Sequence, residues 1–208
     1  MHGRRRQLTE WDERYAAPGF VYGTAPNDFL VEMAPRLPAG AVLCLGEGEG
    51  RNAAFLAARG HRVVAVDRSR VGLTKARRLA ATRGLGIAAV VADLAAFPIP
   101  EDAFTAVTSI FCHLPPEIRA RLYPAVARAL RPGGALVLEA YTPRQLDFGT
   151  GGPSQPELLM TLADAQRELT GLEVVIGRER ERELHEGPRH HGRGAVVQVL
   201  AVKRVVWP

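Results

Sequence analysis

Short apolar runs alternate with amphipathic helical patterns through the middle of the chain, and this alternation constrains the fold more than any other feature. The apolar runs lie at 41–46, 61–67, 87–93, 104–111 and 134–141. Helical patterns separate them at 51–60, 69–84 and 115–130. Continuous apolar runs are typical of strands that are buried on both faces of a sheet. The pattern therefore predicts an α/β protein built on a doubly wound, mostly parallel sheet.

Two short helices are predicted before this core, at 8–17 and 27–37. Thr9 and Asn27 lie at the start of these segments, and both residue types are favoured N-caps. We expect the two helices to form a cap at the N-terminal end of the fold.

The chain after the core has a different pattern. A long loop at 142–156 precedes a predicted amphipathic helix at 157–169. Apolar patterns at 172–183 and 194–205 then predict a closing pair of antiparallel strands. We expect one domain over 1–208. Its parts are an N-terminal helical cap (1–37), a ligand-binding core (41–141) and a substrate-side lid with closing strands (142–205).

The stretch "CLGEGEGRN" (44–52) places three glycines at alternate positions between the first strand and the first helix of the core. Ligands of open α/β sheets bind outside the carboxyl ends of the strands, where a helix N-terminus offers free backbone N–H groups. The dinucleotide fingerprint is G-x-G-x-x-G, and here the third glycine comes one position early. The turn therefore predicts a nucleotide-like ligand without specifying which one.

Two glutamates inside the turn, Glu47 and Glu49, narrow the choice of ligand. Carboxylates beside a pyrophosphate would repel it and weaken the favourable field of the helix end. A cofactor that carries an ammonium and a sulfonium would instead be attracted. We therefore predict that the turn binds S-adenosylmethionine.

Acidic residues at the ends of the second and third strands fit the adenosine part of such a ligand. Asp67 can accept hydrogen bonds from ribose hydroxyls, and the alternative is a helix cap before Ser69. Arg68 beside it would suit a ribose 2′-phosphate, which keeps an NADP-dependent oxidoreductase open as a second interpretation. Asp93 fits an acceptor for the adenine amino group, with a plain turn residue as the alternative.

The core motifs "VLCLGEGEGRN", "VVAVDRS", "VVADLAAF" and "LRPGGALVLEAY" resemble the successive motifs of class I S-adenosylmethionine-dependent methyltransferases. The flanking stretches "WDERY", "YGTAPNDFL", "IFCHLP" and "EGPRHHG" resemble the branch that is similar to tellurite-resistance methyltransferases. The resemblance covers about residues 10 to 204. It implies a Rossmann-like, seven-stranded methyltransferase fold with an antiparallel C-terminal strand pair.

The resemblance also implies roles for individual residues. The glycines of the turn would pass under the methionine part of the cofactor, and Asp67 would bind the ribose. Asp93 and Leu94 would flank the adenine. The backbone of Ile110 and Phe111, at the end of the fourth strand, would lie near the cofactor's amino group.

One position departs from the family pattern. Many members carry an acid two positions before the first glycine, where this chain has Cys44. Our hypothesis is that Glu47 replaces that acid and holds the cofactor's ammonium group. The full set of expected cofactor-binding residues is Tyr22, Gly46, Glu47, Gly48, Gly50, Asn52, Asp67, Arg68, Asp93, Leu94, Ile110 and Phe111.

Methyl transfer needs a nucleophile aligned behind the methyl group and the exclusion of water. His113 is our first candidate for a polar contact or proton acceptor, with a structural turn histidine as the alternative. Tyr15 is a second catalytic candidate, in an aromatic group that would close the site as a lid, and the alternative is simple packing on the sheet. His190 would face substrate only if the link between the last strands folds over the cleft, and the alternative is an exposed turn histidine. The stretch "FGTGGP" (148–153) is a second candidate lid, with glycine hinges.

The expected methyl acceptor is a small molecule. The resemblance implies an oxyanion or soft nucleophile of tellurium or selenium, or a thiol. A non-catalytic protein that binds S-adenosylmethionine is an alternative, because fold alone does not fix function. No metal is expected, since His185, His190 and His191 have no supporting carboxylate pattern.

The net charge of +5 does not indicate nucleic-acid binding. The arginines are scattered and mixed with acids, as in "RERERE" (178–183), which is typical of a solvated face. Arg4–Arg6 is the one basic cluster. No apolar run approaches the roughly 18 residues that a membrane span needs, and no signal core follows the basic N-terminus. We expect a cytoplasmic monomer or weak dimer that binds neither nucleic acid nor membrane.

Overall fold

The computed structural model of the protein describes residues 9–205. The basic cluster Arg4–Arg6 and the first residue of the helix predicted at 8–17 lie outside the described residues. Within 9–205 no helix is both long enough and apolar enough to cross a lipid bilayer.

The strands of the described chain form one seven-stranded sheet in the order β3-β2-β1-β4-β5-β7-β6. The strands are β1 (Ala41–Leu45), β2 (Arg62–Asp67), β3 (Ala88–Val91), β4 (Phe104–Ile110), β5 (Leu130–Tyr141), β6 (Glu173–His185) and β7 (His191–Val202). The helices are α1 (Glu10–Tyr15), α2 (Asp28–Met33), α3 (Arg51–Ala58), α4 (Arg70–Thr82), α5 (Pro116–Ala129) and α6 (Leu162–Glu168). Strand β7 runs antiparallel to both neighbours, and the other pairs are parallel. The predicted doubly wound α/β fold with an antiparallel C-terminal strand pair is confirmed.

Side-chain caps start the helices where the sequence predicts them. Thr9 and Asp12 form a reciprocal capping box at the start of α1. Asn27 accepts the Leu30 N–H at the start of α2, and Ser69 caps α4. Each cap satisfies an N–H group that the first turn of a helix leaves without a partner, so helix starts can be located from sequence.

The alternation of side chains along β1 divides the core between the two faces of the sheet. Val42 and Cys44 pack with side chains of α2 and α3, whereas Leu43 and Leu45 pack with those of α5 and α6. All four residues are buried. Burial on both faces explains why the strand has no polar alternation in its sequence.

Several elements differ in extent from the prediction. Helix α2, for example, ends at Met33 rather than at 37. The helix predicted at 157–169 begins only at Leu162, because Thr161 and Asp164 form a capping box that starts it there. A short 3₁₀ turn at Pro156–Leu158 occupies the earlier part. Strand pairing between β6 and β7 continues to His185 and His191, so the link shrinks to residues 186–190. Strand β5 begins at Leu130 rather than at 134, with an irregular register against the start of β4.

The strand order sets the position of the site. Strand β1 lies between β2 and β4, so the chain connections reverse direction at this point of the sheet. The register pairs Leu45 with Val66 on one side and with Ser109 on the other. The carboxyl ends of β1, β2 and β4 therefore meet at one edge, which is where open α/β sheets bind ligands.

Candidate functional site

The glycine turn after β1 has a backbone that side chains would obstruct. Gly48 has φ +61° and Gly50 has φ +90°, a region that glycine adopts without steric cost. A Cβ on Gly48 would lie 2.5 Å from the Tyr15 hydroxyl. A Cβ on Gly50 would lie 2.5 Å from Ala76 of α4, so this glycine lets α3 approach α4 closely. The turn therefore presents its backbone as a shallow surface, which we call the cradle, and it can do so only because these positions are glycine.

Asp67 at the end of β2 faces this cradle. One carboxylate oxygen accepts the Gly48 N–H at 2.8 Å, and the other accepts the Ser69 N–H at 2.8 Å. The side chain is buried, and burial raises its pKa. A carboxylate oxygen has more than one acceptor position, so both oxygens can still accept from a diol. The position predicted for ribose binding thus has suitable chemistry.

The two glutamates of the turn do not lie free beside the ligand position, as the charge argument from sequence had assumed. Glu47 is buried and accepts the Ala53 N–H at 2.8 Å, within the first turn of α3. Burial raises its pKa to about 7, while Arg51 favours the charged form. Glu47 therefore caps α3 in this structure, and its contact with a cofactor ammonium stays a prediction.

Glu47→Gln is expected to stabilise the protein at alkaline pH while weakening cofactor binding. Because the folded pKa of about 7 exceeds the ordinary value of 4.5, burial of Glu47 is tolerated below pH 4.5 and costs stability as the pH rises through 7. The gain should approach about 3 kcal/mol at pH 8 and vanish near pH 4. Urea unfolding at both pH values and calorimetry with S-adenosylmethionine check this. A pH-independent gain together with unchanged affinity would contradict both parts.

Glu49 instead holds the segment that precedes α2. Its carboxylate accepts the N–H groups of Val21 and Tyr22 at 2.7 and 3.2 Å and pairs with Lys75 at 2.9 Å. Lys75 also donates to the carbonyl oxygens of Ala17 and Gly19. The Glu49 carboxylate is thus paired with one lysine and two backbone N–H groups, so its charge is neutralised within the protein.

Residues 12–27, which we call the strap, cross the carboxyl edge of the sheet and are fixed along their length. At one end Asp12 accepts hydrogen bonds from the Ser69 hydroxyl and the Val71 N–H at the start of α4. At the other end the Asn27 N–H donates to Asn52 of α3. The strap covers the glycine cradle, which is the position that we expect for the predicted N-terminal cap.

Tyr15 lies directly on the cradle, against Gly48 and Gly72. Its ring contacts Tyr22 at 6.1 Å between centroids. Burial and the nearby Asp67 raise the pKa of Tyr15 well above its ordinary value, so the phenol stays protonated. Tyr15 therefore contacts the cradle in its protonated form, and its role in catalysis stays a prediction.

Next to the cradle, a group of rings comes together from four parts of the chain. This ring cluster consists of Tyr22, Phe111, His113, Tyr141 and His190. The His190 ring lies 4.6 Å from both Tyr22 and Phe111 between centroids. Phe111 contacts Tyr141 at 4.7 Å, and His113 stacks on Tyr141 at 5.4 Å. Phe111 follows β4 with φ +50°, which is unusual for a non-glycine residue and turns its backbone at the edge of the cradle.

Three polar atoms inside the ring cluster are buried and have no hydrogen-bond partner among residues 9–205. They are His113 Nε2, Tyr141 Oη and His190 Nδ1. His113 Nδ1 lies 3.3 Å from the Leu158 carbonyl oxygen, which only accepts, so Nδ1 carries the proton and Nε2 is an acceptor. Burial lowers the pKa of His113 to about 4 and that of His190 to about 3. Both imidazoles are therefore neutral at physiological pH.

Two further segments close over the ring cluster. A Cβ on Gly152 would lie 2.7 Å from the Tyr141 ring, and one on Gly151 would lie 2.6 Å from the Arg189 carbonyl oxygen. The glycine-rich stretch at 148–153 therefore contacts both Tyr141 and the β6–β7 link. That link buries His190 at 7% exposure. The expectation that His190 is an exposed turn histidine is thus wrong. The link between the last strands instead folds over the ring cluster and buries His190.

The remaining predicted cofactor residues occupy varied environments. Asn52 is buried in α3 and accepts from the strap, while Ile110 is part of the apolar core. Arg68 and Asp93 are exposed, and Asp93 accepts the Ala95 N–H at 2.9 Å, as a turn residue does. Leu94 is half-buried. Asp93 and Leu94 follow the end of β3, so their contact with an adenine stays a prediction.

Sequence reasoning missed several residues that shape the site. Tyr141 was taken only as the end of a strand, and the link between Glu49 and Lys75 was not foreseen. Glu139, a lone acid within the apolar run of β5, was the one visible signal of a buried ionic contact. Among the described residues no three His, Cys, Asp or Glu side chains gather as a metal site would require.

Comparison with known proteins identifies a methyltransferase domain in the chain. The family profile described as "Methyltransferase domain" matches residues 42–134. A 2-heptyl-1-hydroxyquinolin-4(1H)-one methyltransferase of Mycobacteroides abscessus is 31% identical over 149 residues, which cover 69% of this chain and 66% of the relative. A demethylmenaquinone methyltransferase of Thermus thermophilus is 36% identical over 118 residues, covering 56% and 52%. The chain spans between about half and two thirds of the length of these curated relatives.

Solved structures share the fold at low sequence identity. A structure described as "Conversion of a Disulfide Bond into a Thioacetal Group during Echinomycin Biosynthesis" has a TM-score of 0.77 at 21% identity, covering 93% of this chain and 91% of that one. TehB from Haemophilus influenzae has a TM-score of 0.70 at 19% identity, with coverages of 93% and 66%. The [4+2]-cyclase SpnF has a TM-score of 0.68 at 18% identity, with coverages of 94% and 91%. These likenesses show the fold alone.

The residues present fit S-adenosylmethionine. Gly46, Gly48 and Gly50 expose the backbone of the turn, and a Cβ on them would collide with Cys112, Tyr15 and Ala76, respectively. Asp67 presents two acceptor oxygens beside this turn. Carboxylates around the cradle suit a cationic cofactor better than a pyrophosphate, even though Glu49 is compensated by Lys75. The fold, the matched domain and the methyltransferase relatives agree with this chemistry. The chain carries a methyltransferase domain at residues 42–134, and its fold and methyltransferase relatives support S-adenosylmethionine as its cofactor.

Proposed function

We propose that this protein transfers the methyl group of S-adenosylmethionine to a hydroxyl group on a small aromatic acceptor bound at the ring cluster. The observation that carries the proposal is the set of unpartnered polar atoms buried there: His113 Nε2, Tyr141 Oη and His190 Nδ1. Buried polar atoms normally have partners, and orphans of this kind gathered at one place favour a ligand. The surrounding rings supply apolar, aromatic surface, as small-molecule sites commonly do.

The protein's own contribution to such a reaction is binding, orientation and the exclusion of water. S-adenosylmethionine, when bound, supplies an electrophilic methyl group. Asp67 would hold the ribose, and the backbone at Gly46–Gly50 would hold the methionine part. The strap and the stretch at 148–153 cover the site, which favours a displacement that water would otherwise compete with.

The histidines are suited to orienting the acceptor rather than to removing its proton. A base is most effective when its pKa lies near the working pH, and the pKa values of about 4 and about 3 for His113 and His190 are well below it. The acceptor would be a hydroxyl that ionises readily and loses its proton to water before it binds. Methyl transfer to its oxygen then leaves a neutral ether and a neutral thioether. Burial raises the pKa of Tyr141, so its hydroxyl stays protonated and can donate a hydrogen bond to the ionised oxygen. His113 Nε2 can accept from another N–H or hydroxyl of the acceptor.

The charges near the ring cluster favour such an acceptor over an oxyanion. Arg51 pairs with Glu186, and Arg182 is shared between Glu139 and Glu186. The two buried arginines beside the cluster are therefore both paired with carboxylates. A tellurium or selenium oxyanion would lack the cationic partner that such anions use, and a thiol would gain little from the aromatic surface. The hydroxyquinolinone and demethylmenaquinone in the names of the two relatives support a ring-bearing acceptor.

Two experiments test the proposal. Calorimetry with S-adenosylmethionine, its demethylated product and NADPH should give binding for the first two only, because the Asp67 carboxylate beside the cradle disfavours the phosphates of NADPH. A label-transfer assay with a hydroxyquinolinone, a dihydroxynaphthalene, tellurite, selenite and a small thiol should give methylated product for the hydroxylated rings. Methylation of tellurite, selenite or the thiol instead would overturn the acceptor class. Cofactor binding without any transfer would support the non-catalytic alternative.

A further inference from the structure

A buried group of charges lies beside the ring cluster and joins separate parts of the fold. Glu139 of β5 is 0% exposed and Glu186 of the β6–β7 link is 3% exposed. Arg182 donates from Nε to Glu139 Oε1 at 2.9 Å and from Nη2 to Glu139 Oε2 at 3.3 Å, and it also pairs with Glu186. Arg51 Nη2 lies 2.5 Å from Glu186 Oε2. We call these four residues the charge cluster.

The charge cluster is balanced and well connected. Its two carboxylates face two guanidinium groups, so no net charge is buried. Asn27 of the strap donates to Glu139 at 2.6 Å and to Glu186 at 3.0 Å. Buried ion pairs contribute little net stability, since desolvation offsets their attraction. Their effect here is to fix the strap, α3, β5 and the β6–β7 link in one arrangement.

Glu186 and His190 stand at the two ends of the same tight turn. The Glu186 N–H donates to the His190 carbonyl oxygen at 2.8 Å, and the His190 N–H donates to Gly187 at 3.1 Å. The Glu186 side chain enters the charge cluster, whereas the His190 ring enters the ring cluster. The turn packs tightly against the strap at Gly187, because a Cβ on this residue would lie 2.4 Å from the Gly23 N atom.

We propose that Glu186 is a positioning residue for methyl transfer, which holds His190 against Phe111 through its ion pairs with Arg51 and Arg182. This inference rests on the proposed function, because it assigns the acceptor site to the ring cluster. Two side chains anchored in different clusters fix a turn of five residues from both ends. Loss of the Glu186 charge leaves Arg51 without its ion-pair partner, while Arg182 keeps Glu139 and the exposed Asp28. The excess buried positive charge then favours opening of the turn.

The test is Glu186→Gln, with Glu183→Gln as the matched control on an exposed position of β6. We expect kcat to fall by about tenfold to 100-fold, as small misplacements near reacting groups do. The dissociation constant for S-adenosylmethionine should change by less than about twofold, because the cradle is untouched. Glu183→Gln should leave both unchanged.

A second readout does not depend on activity. Modification of individual histidines by diethyl pyrocarbonate, located by tandem mass spectrometry, should be slow at His190 in the unmodified protein because the ring is buried. It should become several-fold faster in Glu186→Gln, as expected when local opening increases. The exposed His185 and His191 serve as internal references.

A charge-restoring variant keeps the test decisive if Glu186→Gln folds poorly. Arg51→Gln combined with Glu186→Gln removes one charge of each sign and should recover folding and His190 protection. Unchanged kcat and unchanged His190 protection in a folded Glu186→Gln protein would overturn the positioning role. If no acceptor is methylated by the unmodified protein while His190 protection still depends on Glu186, the proposed function fails and the structural coupling stands.

Discussion

Gly48→Ala is expected to lower the affinity for S-adenosylmethionine by at least about 100-fold, or about 3 kcal/mol. The residue has φ +61°, and an alanine there costs roughly 1 to 2 kcal/mol of backbone strain. The added methyl would also lie 2.5 Å from the Tyr15 hydroxyl, far inside contact distance. Either the turn or Tyr15 must then move, and both form the surface that we assign to the cofactor.

Gly60→Ala is the matched control for this variant. Gly60 ends α3 with φ +86°, and nothing lies within 4 Å of a Cβ built on it. Both variants should lose about 1 to 2 kcal/mol of unfolding free energy from left-handed backbone strain. Only Gly48→Ala should lose cofactor affinity. Calorimetry combined with urea unfolding separates the two effects, and equal affinity in the two variants would show that the cradle is not the cofactor site.

The sequence allowed the parallel core to be predicted because its signals are local. Thr9, Asn27 and Ser69 mark helix starts through contacts within three residues. The continuous apolar run of β1 indicates burial on both faces without any knowledge of its neighbours. Helix α6 shows the limit of such reasoning, because apolar spacing suggested 157–169 while the Thr161 cap sets the start of the helix later.

The ring cluster could not be predicted because its members meet only in the folded protein. Tyr22, Phe111 and His190 come from three distant parts of the chain. Whether His190 is buried depends on the register of the β6–β7 hairpin, and the pattern of that pair did not define where pairing ends. A strand slipped by one residue would turn its side chains to the other face.

The glutamates of the turn illustrate a different limit. In the sequence alone, Glu47 and Glu49 look like carboxylates that contact the ligand directly. In the folded chain Glu49 is neutralised by Lys75, and Glu47 caps α3. A cationic cofactor is still favoured, because the Asp67 carboxylate faces the cradle. The charge that favours it lies at the end of β2 rather than in the turn.

Asp67→Asn is the second variant for which we expect a large effect, again about a 100-fold loss of cofactor affinity. Hydrogen bonds to a charged group contribute about 1.5 to 3 kcal/mol each, and a ribose diol would make two of them. Asp67 accepts hydrogen bonds from the N–H groups of Gly48 and Ser69 with its two oxygens. An asparagine has only one oxygen, so its amide NH₂ group would face one of these two N–H donors. The variant therefore loses ribose acceptors and disturbs the turn at once.

Two comparisons separate the ribose contact from a general loss of structure. Asp102→Asn alters an exposed acid before β4 whose side chain accepts from Lys203, so it should leave the affinity unchanged. A cofactor analogue without the ribose 2′-hydroxyl should bind weakly to the unmodified protein, while Asp67→Asn should discriminate little between the analogue and the natural cofactor. Coupling of this kind is expected only for groups in contact. Full discrimination retained in Asp67→Asn would mean that the ribose is recognised elsewhere, and the assignment of β2 as the ribose strand would fail.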